Sequence, residues 1–194
     1  MIVCELVVKS EENAMLMPYV EAVKEYGTGY KLKKAVEEGR IYKVSPGIYA
    51  RQAAVSDMEK FQMKYKTAIF TMDSAFYFLG LTDVVPEKWH IATARNSTRL
   101  PKDNVQQYFE AAKFYGIGKS IVEFNGAQLR CYDQERMLLE LVRHRKTMPF
   151  DLYKEIVQSY RQCYNNIDYG KLDDYIEEMQ CRTDFYDIIQ REIL

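Results

Sequence analysis

The stretch that decides the N-terminal fold is residues 27–51, which read GTGYKLKKAVEEGRIYKVSPGIYAR. After the Gly-Thr-Gly turn, Leu32, Ala35 and Val36 lie at i, i+3 and i+4, the spacing of one buried helix face. Thr28 is a residue type that caps helix N-termini, and Gly39 provides the stop. The stretch therefore begins with a helix over residues 30–38.

A β hairpin is predicted directly after this helix. Residues 40–44 and 48–51 are rich in β-branched and aromatic side chains, and Ser45-Pro46-Gly47 separates them. Proline suits position i+1 of a type II turn, and glycine suits position i+2. Upstream, apolar residues recur every three positions from Met17 to Tyr26, which predicts another helix with Pro18 in its first turn. The order of these elements predicts a winged helix-turn-helix domain in residues 1–55.

The rest of the chain, residues 56–194, mixes helix and strand signals and predicts an α+β domain. Expected elements are a helix over 56–66, a strand over 68–70, a helix capped by Asp73 or Ser74, a strand over 89–94, and strands within 114–133 broken by Asn125-Gly126. From residue 134 the period becomes helical, with further helices after Pro149 and Gly170. The fold class is therefore α+β, with a winged helix first and a helical C-terminal third.

Composition excludes several classes of protein. The 194 residues are 47% hydrophobic and 13% aromatic, with 27 Lys and Arg against 28 Asp and Glu, which argues against disorder. No apolar run is long enough to span a membrane. The four cysteines are far apart, so neither a disulfide framework nor a zinc knuckle is indicated. With no basic, apolar leader at its start, the chain is expected to be reduced and cytoplasmic.

Charge is separated along the sequence although its sum is close to zero. Residues 24–51 contain seven basic and three acidic groups, a net +4, whereas residues 164–194 contain three basic and eight acidic groups, a net −5. A basic patch on a helix and its wing attracts phosphate. The alternative is that the lysines only keep a short helix solvated.

A helix-turn-helix presents its second helix to the major groove, so double-stranded DNA is the predicted partner. The predicted DNA-binding residues are Thr28, Tyr30, Lys31, Lys33 and Lys34 on the second helix and Arg40, Lys43 and Arg51 on the wing. Thr28 and Tyr30 are expected to hold the start of that helix on the DNA backbone.

Signals for an enzyme are weaker. His90 and His144 are the only histidines and lie on separate predicted elements, and no phosphate-binding glycine loop or metalloprotease motif occurs. A metal-dependent nuclease remains the alternative, with Asp133 and Glu135 as its carboxylates, although Asp133 also suits a helix cap and no lysine follows. A solvated face is the preferred interpretation of the acidic run at 173–178. A third hypothesis is an interaction module without DNA binding, and no cofactor is expected.

Three stretches resemble the AbiEi family of antitoxins, in the family's order. They are Leu32 to Tyr49, with its helix, glycine, strand and Gly-x-Tyr ending; Ser74 to Asp83, similar to an "SA-x4-GLT" element and followed by Pro86 and the strand at Trp89; and the helix beginning Glu135-Arg136-Met137-Leu138. The resemblance spans about residues 17–180. Residues Met1 to Lys9 depart from it, since they predict a strand or an arm where the family usually has a longer helix.

The resemblance implies a bacterial type IV antitoxin of an abortive-infection system. It implies an autorepressor that binds inverted repeats in its own promoter and counteracts a cotranscribed nucleotidyltransferase toxin through the C-terminal domain, without a stable complex. Arg136, Arg143 and Arg145 are candidates for opposing the toxin, since they are basic and lie on one predicted helix. A solvated helix face is the alternative interpretation of these three arginines.

Overall fold

The computed structural model describes residues 16–53, 55–181 and 184–193. They divide into two compact units. The N-terminal unit contains the described residues up to 66 together with 125–128, and the C-terminal unit contains the described residues 67–124 and those from 129 onward. The strand or arm predicted for Met1 to Lys9 lies outside the described residues, and the independence of residues 1–55 as a domain stays a prediction.

The N-terminal unit combines short helices with a three-stranded antiparallel sheet of order β1-β3-β2. Its elements are β1 (Leu16–Pro18), α1 (Tyr19–Tyr26), α2 (Gly29–Glu37), β2 (Tyr42–Ser45), β3 (Ile48–Ala50) and α3 (Asp57–Lys64). The prediction that Pro18 lies in the first turn of α1 is wrong. Pro18 is extended and ends β1, because this segment pairs with β3, Leu16 opposite Ala50.

The local signals in residues 27–51 are confirmed. The Thr28 side chain accepts a hydrogen bond from the backbone N–H of Lys31 at 3.2 Å and so caps α2. Gly39 follows the helix with φ +70°, and Gly47 has φ +78° in the turn between β2 and β3. A small core underlies these elements and consists of Met17, Ala22, Leu32, Ala35, Ile41 and Tyr49.

The C-terminal unit is a mixed α+β fold with a five-stranded sheet of order β6-β5-β4-β8-β7. Strands β4 and β5 are antiparallel, whereas β4 with β8 and β5 with β6 are parallel. The elements are β4 (Ile69–Phe70), α4 (Met72–Phe78), β5 (Trp89–Ala94), β6 (Val105–Glu110), α5 (Ala112–Tyr115), β7 (Lys119–Phe124), β8 (Ala127–Tyr132), α6 (Gln134–His144), α7 (Phe150–Gln162), a 3-10 turn (Tyr164–Asn166), α8 (Tyr169–Glu178) and α9 (Asp184–Glu192). The predicted α+β class with C-terminal helices is confirmed.

Two details of this unit differ from expectation. Neither Asp73 nor Ser74 caps α4, because the helix already begins at Met72 and Thr71 is at the N-cap. The Ser74 hydroxyl instead accepts a hydrogen bond from the backbone N–H of His90 at 2.9 Å. The predicted tight hairpin at Asn125-Gly126 is confirmed, since both residues have positive φ, 50° and 77°.

Helix α6 is the central helix of the C-terminal unit and packs against α4, α8 and α9. Its predicted apolar stripe, Met137, Leu138, Leu141 and Val142, is fully buried. The rest of the helix from Gln134 to Val142 is buried as well, including its charged residues. No helix in the described part of the chain is long and apolar enough to cross a membrane.

Candidate nucleic-acid interface

The outer face of α2 is a cationic surface held in place by the buried face of the same helix. Leu32 and Ala35 are removed from solvent, which turns Lys31 and Lys33 outward. Lys34 is exposed on the same helix, and Tyr30 in the first turn leaves 78% of its area exposed. The predicted DNA-contacting residues within this helix, Tyr30, Lys31, Lys33 and Lys34, therefore all present long side chains at the surface.

A backbone hydrogen bond joins the hairpin of β2 and β3 to the helices. The N–H of Tyr19, the first residue of α1, donates to the carbonyl of Gly47 in the turn between β2 and β3 at 2.7 Å. Strand β2 exposes both Tyr42 and Lys43. The predicted wing cations Arg40 and Arg51 are exposed too, so the fold brings the helix cations and the wing cations into one compact unit.

Two of the glutamates counted in residues 24–51 form ion pairs that the sequence alone did not show, and these pairs neutralise part of this surface. Glu38 Oε2 lies 2.6 Å from Arg40 Nη2, and its other oxygen lies 3.9 Å from Lys34 Nζ. Glu25 Oε2 lies 3.3 Å from Arg51 Nη2. All these side chains are substantially exposed, so each pair contributes little to stability. The pairs lower the positive charge that is available to a ligand.

Three other predicted cations of this surface differ from Lys34, Arg40 and Arg51. Within the described residues, Lys31, Lys33 and Lys43 form no ion pair. We call these three residues the free lysines. Their charge is available to phosphate without first breaking a contact within the protein, which makes them the strongest candidates for phosphate binding.

The C-terminal candidates are arranged differently from expectation. The solvated-face interpretation is wrong for Arg136, whose side chain is 0% exposed. Its Nε donates to Glu140 Oε1 at 2.8 Å, and its Nη1 donates to the Phe114 carbonyl at 2.9 Å. Arg143 and Arg145 are partly exposed and lie near the acidic residues Glu140 and Asp184, respectively. Of the three arginines, only Arg143 and Arg145 reach the surface.

The Asp133 and Glu135 pair lies next to a lysine that the local sequence does not contain. Lys171 Nζ from α8 lies 2.8 Å from Asp133 Oδ2 and 3.4 Å from Glu135 Oε2. Burial lowers the pKa of Lys171, but the hydrogen bond and charge of Asp133, together with the charge of Glu135, outweigh it and raise that pKa above its ordinary value. The predicted cap is confirmed, since Asp133 Oδ1 accepts from the Arg136 backbone N–H.

Two further hydrogen bonds reach the oxygens of this pair. The hydroxyl of Tyr175 donates to Asp133 Oδ2 at 2.9 Å, and the Asp168 backbone N–H donates to Glu135 Oε1 at 3.1 Å. In the described residues, no group of three or more His, Cys, Asp or Glu is arranged to hold a metal ion. The acidic run on α8 is exposed while Leu172 and Ile176 of the same helix are buried, as its solvated-face interpretation requires.

His90 takes part in polar contacts that the sequence did not reveal. His90 Nδ1 lies 3.3 Å from the hydroxyl of Tyr108, and its Nε2 lies 3.7 Å from Asp73 Oδ2. Burial lowers the pKa of His90, and the charge of Asp73 opposes this effect. Burial and the charges of Asp73 and Glu140 raise the pKa of Tyr108 to about 12, so its hydroxyl stays protonated.

Comparison with known proteins gives no family for this chain. No protein-family model matches it, and no curated protein matches it. Among solved structures, the RV2827C protein from Mycobacterium tuberculosis is similar, with a TM-score of 0.46 and 13% identity over 90% of this chain and 73% of that chain. At this score and identity the likeness carries no conclusion about family or function.

Proposed function

We propose that this chain is a sequence-specific DNA-binding autorepressor and the antitoxin of a bacterial type IV toxin–antitoxin system. In this proposal the N-terminal unit is a winged helix-turn-helix, with α2 as the groove-entering helix and the β2–β3 hairpin as the wing. The observation that supports it best is the exposed face of α2, where Lys31 and Lys33 lie beside the exposed Tyr30 and form no ion pair in the described residues.

Contacts with DNA phosphates and contacts with base edges have different physical roles. Each lysine that neutralises a phosphate releases a counterion, so the free lysines contribute affinity that falls as salt rises. Sequence is read by side chains that reach base edges in the groove. Tyr30 and Lys33 are three positions apart and so share one helix face, which makes them the pair best placed to enter the groove together. Arg40, Lys43 and Arg51 then contact the backbone beside it.

The antitoxin role is supported by the resemblance to AbiEi-family proteins and is assigned to the C-terminal unit. The functional partner in this proposal is a cotranscribed nucleotidyltransferase toxin, which is opposed in the cytoplasm without a stable complex. Arg143 and Arg145 are the candidates for this activity that reach the surface. Arg136 is buried, so it does not contact a partner and is part of the core of the C-terminal unit.

The DNA-binding part is tested by charge reversal on α2. The variant Lys33→Glu/Lys34→Glu should lose promoter affinity by at least about a hundredfold, with a clearly reduced salt dependence, in fluorescence anisotropy with duplex promoter DNA. The matched control is Lys119→Glu/Lys154→Glu, which reverses two exposed lysines of the C-terminal unit and should bind like the parent. Equal affinity of the α2 variant and the control would remove this surface from the proposal.

Stoichiometry and toxin rescue test the remaining parts. A promoter fragment with an inverted repeat should take up two molecules, one for each half-site. Coexpression should restore growth to cells that carry the neighbouring nucleotidyltransferase, and Arg143→Glu/Arg145→Glu should reduce that rescue while leaving promoter affinity unchanged. A one-to-one complex on the full promoter would contradict binding to two half-sites. Unchanged rescue by the double variant would show that Arg143 and Arg145 do not oppose the toxin.

The nuclease alternative is less well supported. Lys171 brings a cation to Asp133 and Glu135, but the oxygens of both carboxylates are already hydrogen-bonded within the protein, so they do not fit an open metal site. Incubation of promoter DNA with the protein and Mg²⁺ tests it directly. Cleavage that Asp133→Asn abolishes would favour this alternative, since asparagine retains an oxygen for the helix cap.

A further inference from the structure

A second basic site lies in the C-terminal unit, at the edge strand β6 and away from the α2 lysines in sequence. Its cations are Lys88 before β5 and Arg99 and Lys102 in the loop 95–104 that joins β5 to β6. They line a cleft of about 270 Å³ together with Gln106, Gln107 and Phe109 of β6. Among the described residues that line this cleft there is no carboxylate. Two acids follow or precede its lysines in the chain: Asp103 is exposed after Lys102, and Glu87 lines a neighbouring cleft that Lys88 and Gln106 also line.

The loop that carries these cations is held in a defined shape. Gln107 Oε1 accepts from the Leu100 backbone N–H at 2.9 Å, and Gln107 Nε2 donates to the carbonyl of Thr98 at 3.1 Å and to the Thr93 hydroxyl at 2.8 Å. Lys88 Nζ donates to the carbonyl of Lys102 at 3.1 Å and so spans the mouth of the loop. The positions of the charges are therefore set by hydrogen bonds to β5 and β6.

The three cations of the cleft differ from the cations of the N-terminal unit in their ion pairing. Within the described part of the chain, Lys88, Arg99 and Lys102 form no ion pair, in contrast to Arg40 and Arg51 of the N-terminal unit. Three cations around one concave surface repel one another, and an anion with several oxygens relieves that repulsion. A phosphate group has the charge and the acceptor oxygens that suit lysine and arginine donors.

An aromatic platform lies beside the cations. Phe109 is 37% exposed, and the guanidinium carbon of Arg99 lies 5.7 Å from its ring centroid. The planar guanidinium of Arg99 and the ring of Phe109 are both groups on which nucleobases stack. Stacking on an aromatic side chain contributes about 1–3 kcal/mol per base. The amide of Gln106 at the same cleft can both donate to and accept from a base edge.

We infer that this cleft binds a nucleoside phosphate, with the phosphates on Lys88, Arg99 and Lys102 and the base on Phe109. The site belongs to the C-terminal unit, whereas the α2 surface belongs to the N-terminal unit, and the inference does not depend on the proposed function. The same chemistry is offered by a free nucleotide and by a nucleotide within a single strand, so the test includes both.

Isothermal titration calorimetry of the full chain tests the inference with ATP, inorganic triphosphate and a single-stranded ten-nucleotide DNA as probes. ATP should bind, and Arg99→Gln/Lys102→Gln should weaken it at least about tenfold, whereas Lys119→Gln on the opposite edge strand β7 should not. Phe109→Ala should weaken ATP but leave inorganic triphosphate unchanged. Binding of the ten-mer that depends on the same residues identifies a strand as the source, and its absence identifies the free nucleotide.

Three results overturn the inference: no heat with either ATP or the ten-mer, unchanged ATP affinity in the double variant, or triphosphate binding as tight as ATP. Because the substituted residues are at the surface, retained melting temperatures should show that the variants are folded. Promoter binding separates the two sites. Arg99→Gln/Lys102→Gln should keep it, and Lys33→Glu/Lys34→Glu should lose it while still binding ATP.

Discussion

Arg136 and Glu140 form a buried ion pair one turn apart on α6, with Arg136 Nε 2.8 Å from Glu140 Oε1 and side-chain exposures of 0% and 4%. Nη2 of the arginine lies 2.7 Å from the same oxygen, and the guanidinium carbon lies 4.6 Å from the ring centroid of Tyr132. Both charges have been removed from water, so their mutual attraction and the carbonyls around Arg136 replace hydration. The pair anchors α6 to the segment that contains α5.

Removing one partner of this pair should strongly destabilise the protein. Arg136→Met leaves the buried Glu140 with the longer contact to the partly exposed Arg143 at 3.3 Å, and losing the shorter buried partner costs about 3–5 kcal/mol of unfolding free energy. Urea denaturation measures the loss. Arg136→Met/Glu140→Leu should recover part of it, because no unpaired charge remains. Arg143→Met, at a side chain one-third exposed, should cost less than about 1 kcal/mol. Equal losses for Arg136→Met and Arg143→Met would contradict this account.

Gly118 should not tolerate a side chain, although the nearby Gly116 should. Gly118 has φ +73°, and a Cβ there would lie 2.3 Å from the Cβ of Arg136. Gly118→Ala should cost about 1–3 kcal/mol in backbone strain, and overpacking should cost about 1–3 kcal/mol more. Gly116 has φ −83°, and a Cβ added there would meet no atom within 4 Å, so Gly116→Ala should stay within about 0.5 kcal/mol of the parent. Thermal unfolding of the two variants side by side decides the point.

His90 should make stability depend on pH on the acidic side of neutrality. Burial lowers its pKa below the ordinary 6.5, and the charge of Asp73 only partly offsets this. The unfolded chain then binds the proton more readily, so the stability that His90 contributes is present above pH 6.5 and is lost as the pH falls through the folded pKa. The unfolding free energy should decrease from about pH 7 to about pH 5, and His90→Gln should flatten that decrease. NMR titration should find a pKa below 6.5 for His90; a value above it would reverse the sign.

Glu38 should oppose DNA binding, because it holds Arg40 at 2.6 Å and lies 3.9 Å from Lys34. If the proposed function is correct, Glu38→Gln should raise promoter affinity about two- to fivefold at low salt, the range that one or two exposed ion pairs allow. The gain should shrink as salt is added. Glu123→Gln, at an exposed position on β7, should leave affinity unchanged. Lower affinity in Glu38→Gln would show that the glutamate positions the cations and does not compete with DNA.

Features that depend on a few neighbouring residues were predictable. The Thr28 cap, the Gly39 stop, the Pro46-Gly47 turn and the Asn125-Gly126 hairpin follow from backbone conformations and hydrogen bonds between near neighbours in the chain, and all are present. Strand β6 was not predicted. Its residues Gln106 and Gln107 do not suit a strand by themselves, and pairing with β5 along its full length stabilises it.

The candidate surface was predictable only in part. Exposure of the α2 lysines follows from the helical period, since Leu32 and Ala35 define the opposite face. The helical period does not show which of the cations form ion pairs with glutamates. The pairing of Arg51 with Glu25 joins residues from different elements, and only the packing of those elements brings the two groups within 3.3 Å.

The sequence by itself determined the helix and hairpin of residues 27–51, the caps Thr28 and Asp133, the apolar stripe of α6 and the separation of charge along the chain. Only the tertiary structure decided that α6 is buried on every side from Gln134 to Val142, that Arg136 binds Glu140 inside the core, and that Lys171 reaches Asp133 from a distant helix. The physical reason is that periodicity shows which face of a helix is the most apolar. What covers its other faces depends on α4, α8 and α9, which come from distant parts of the chain.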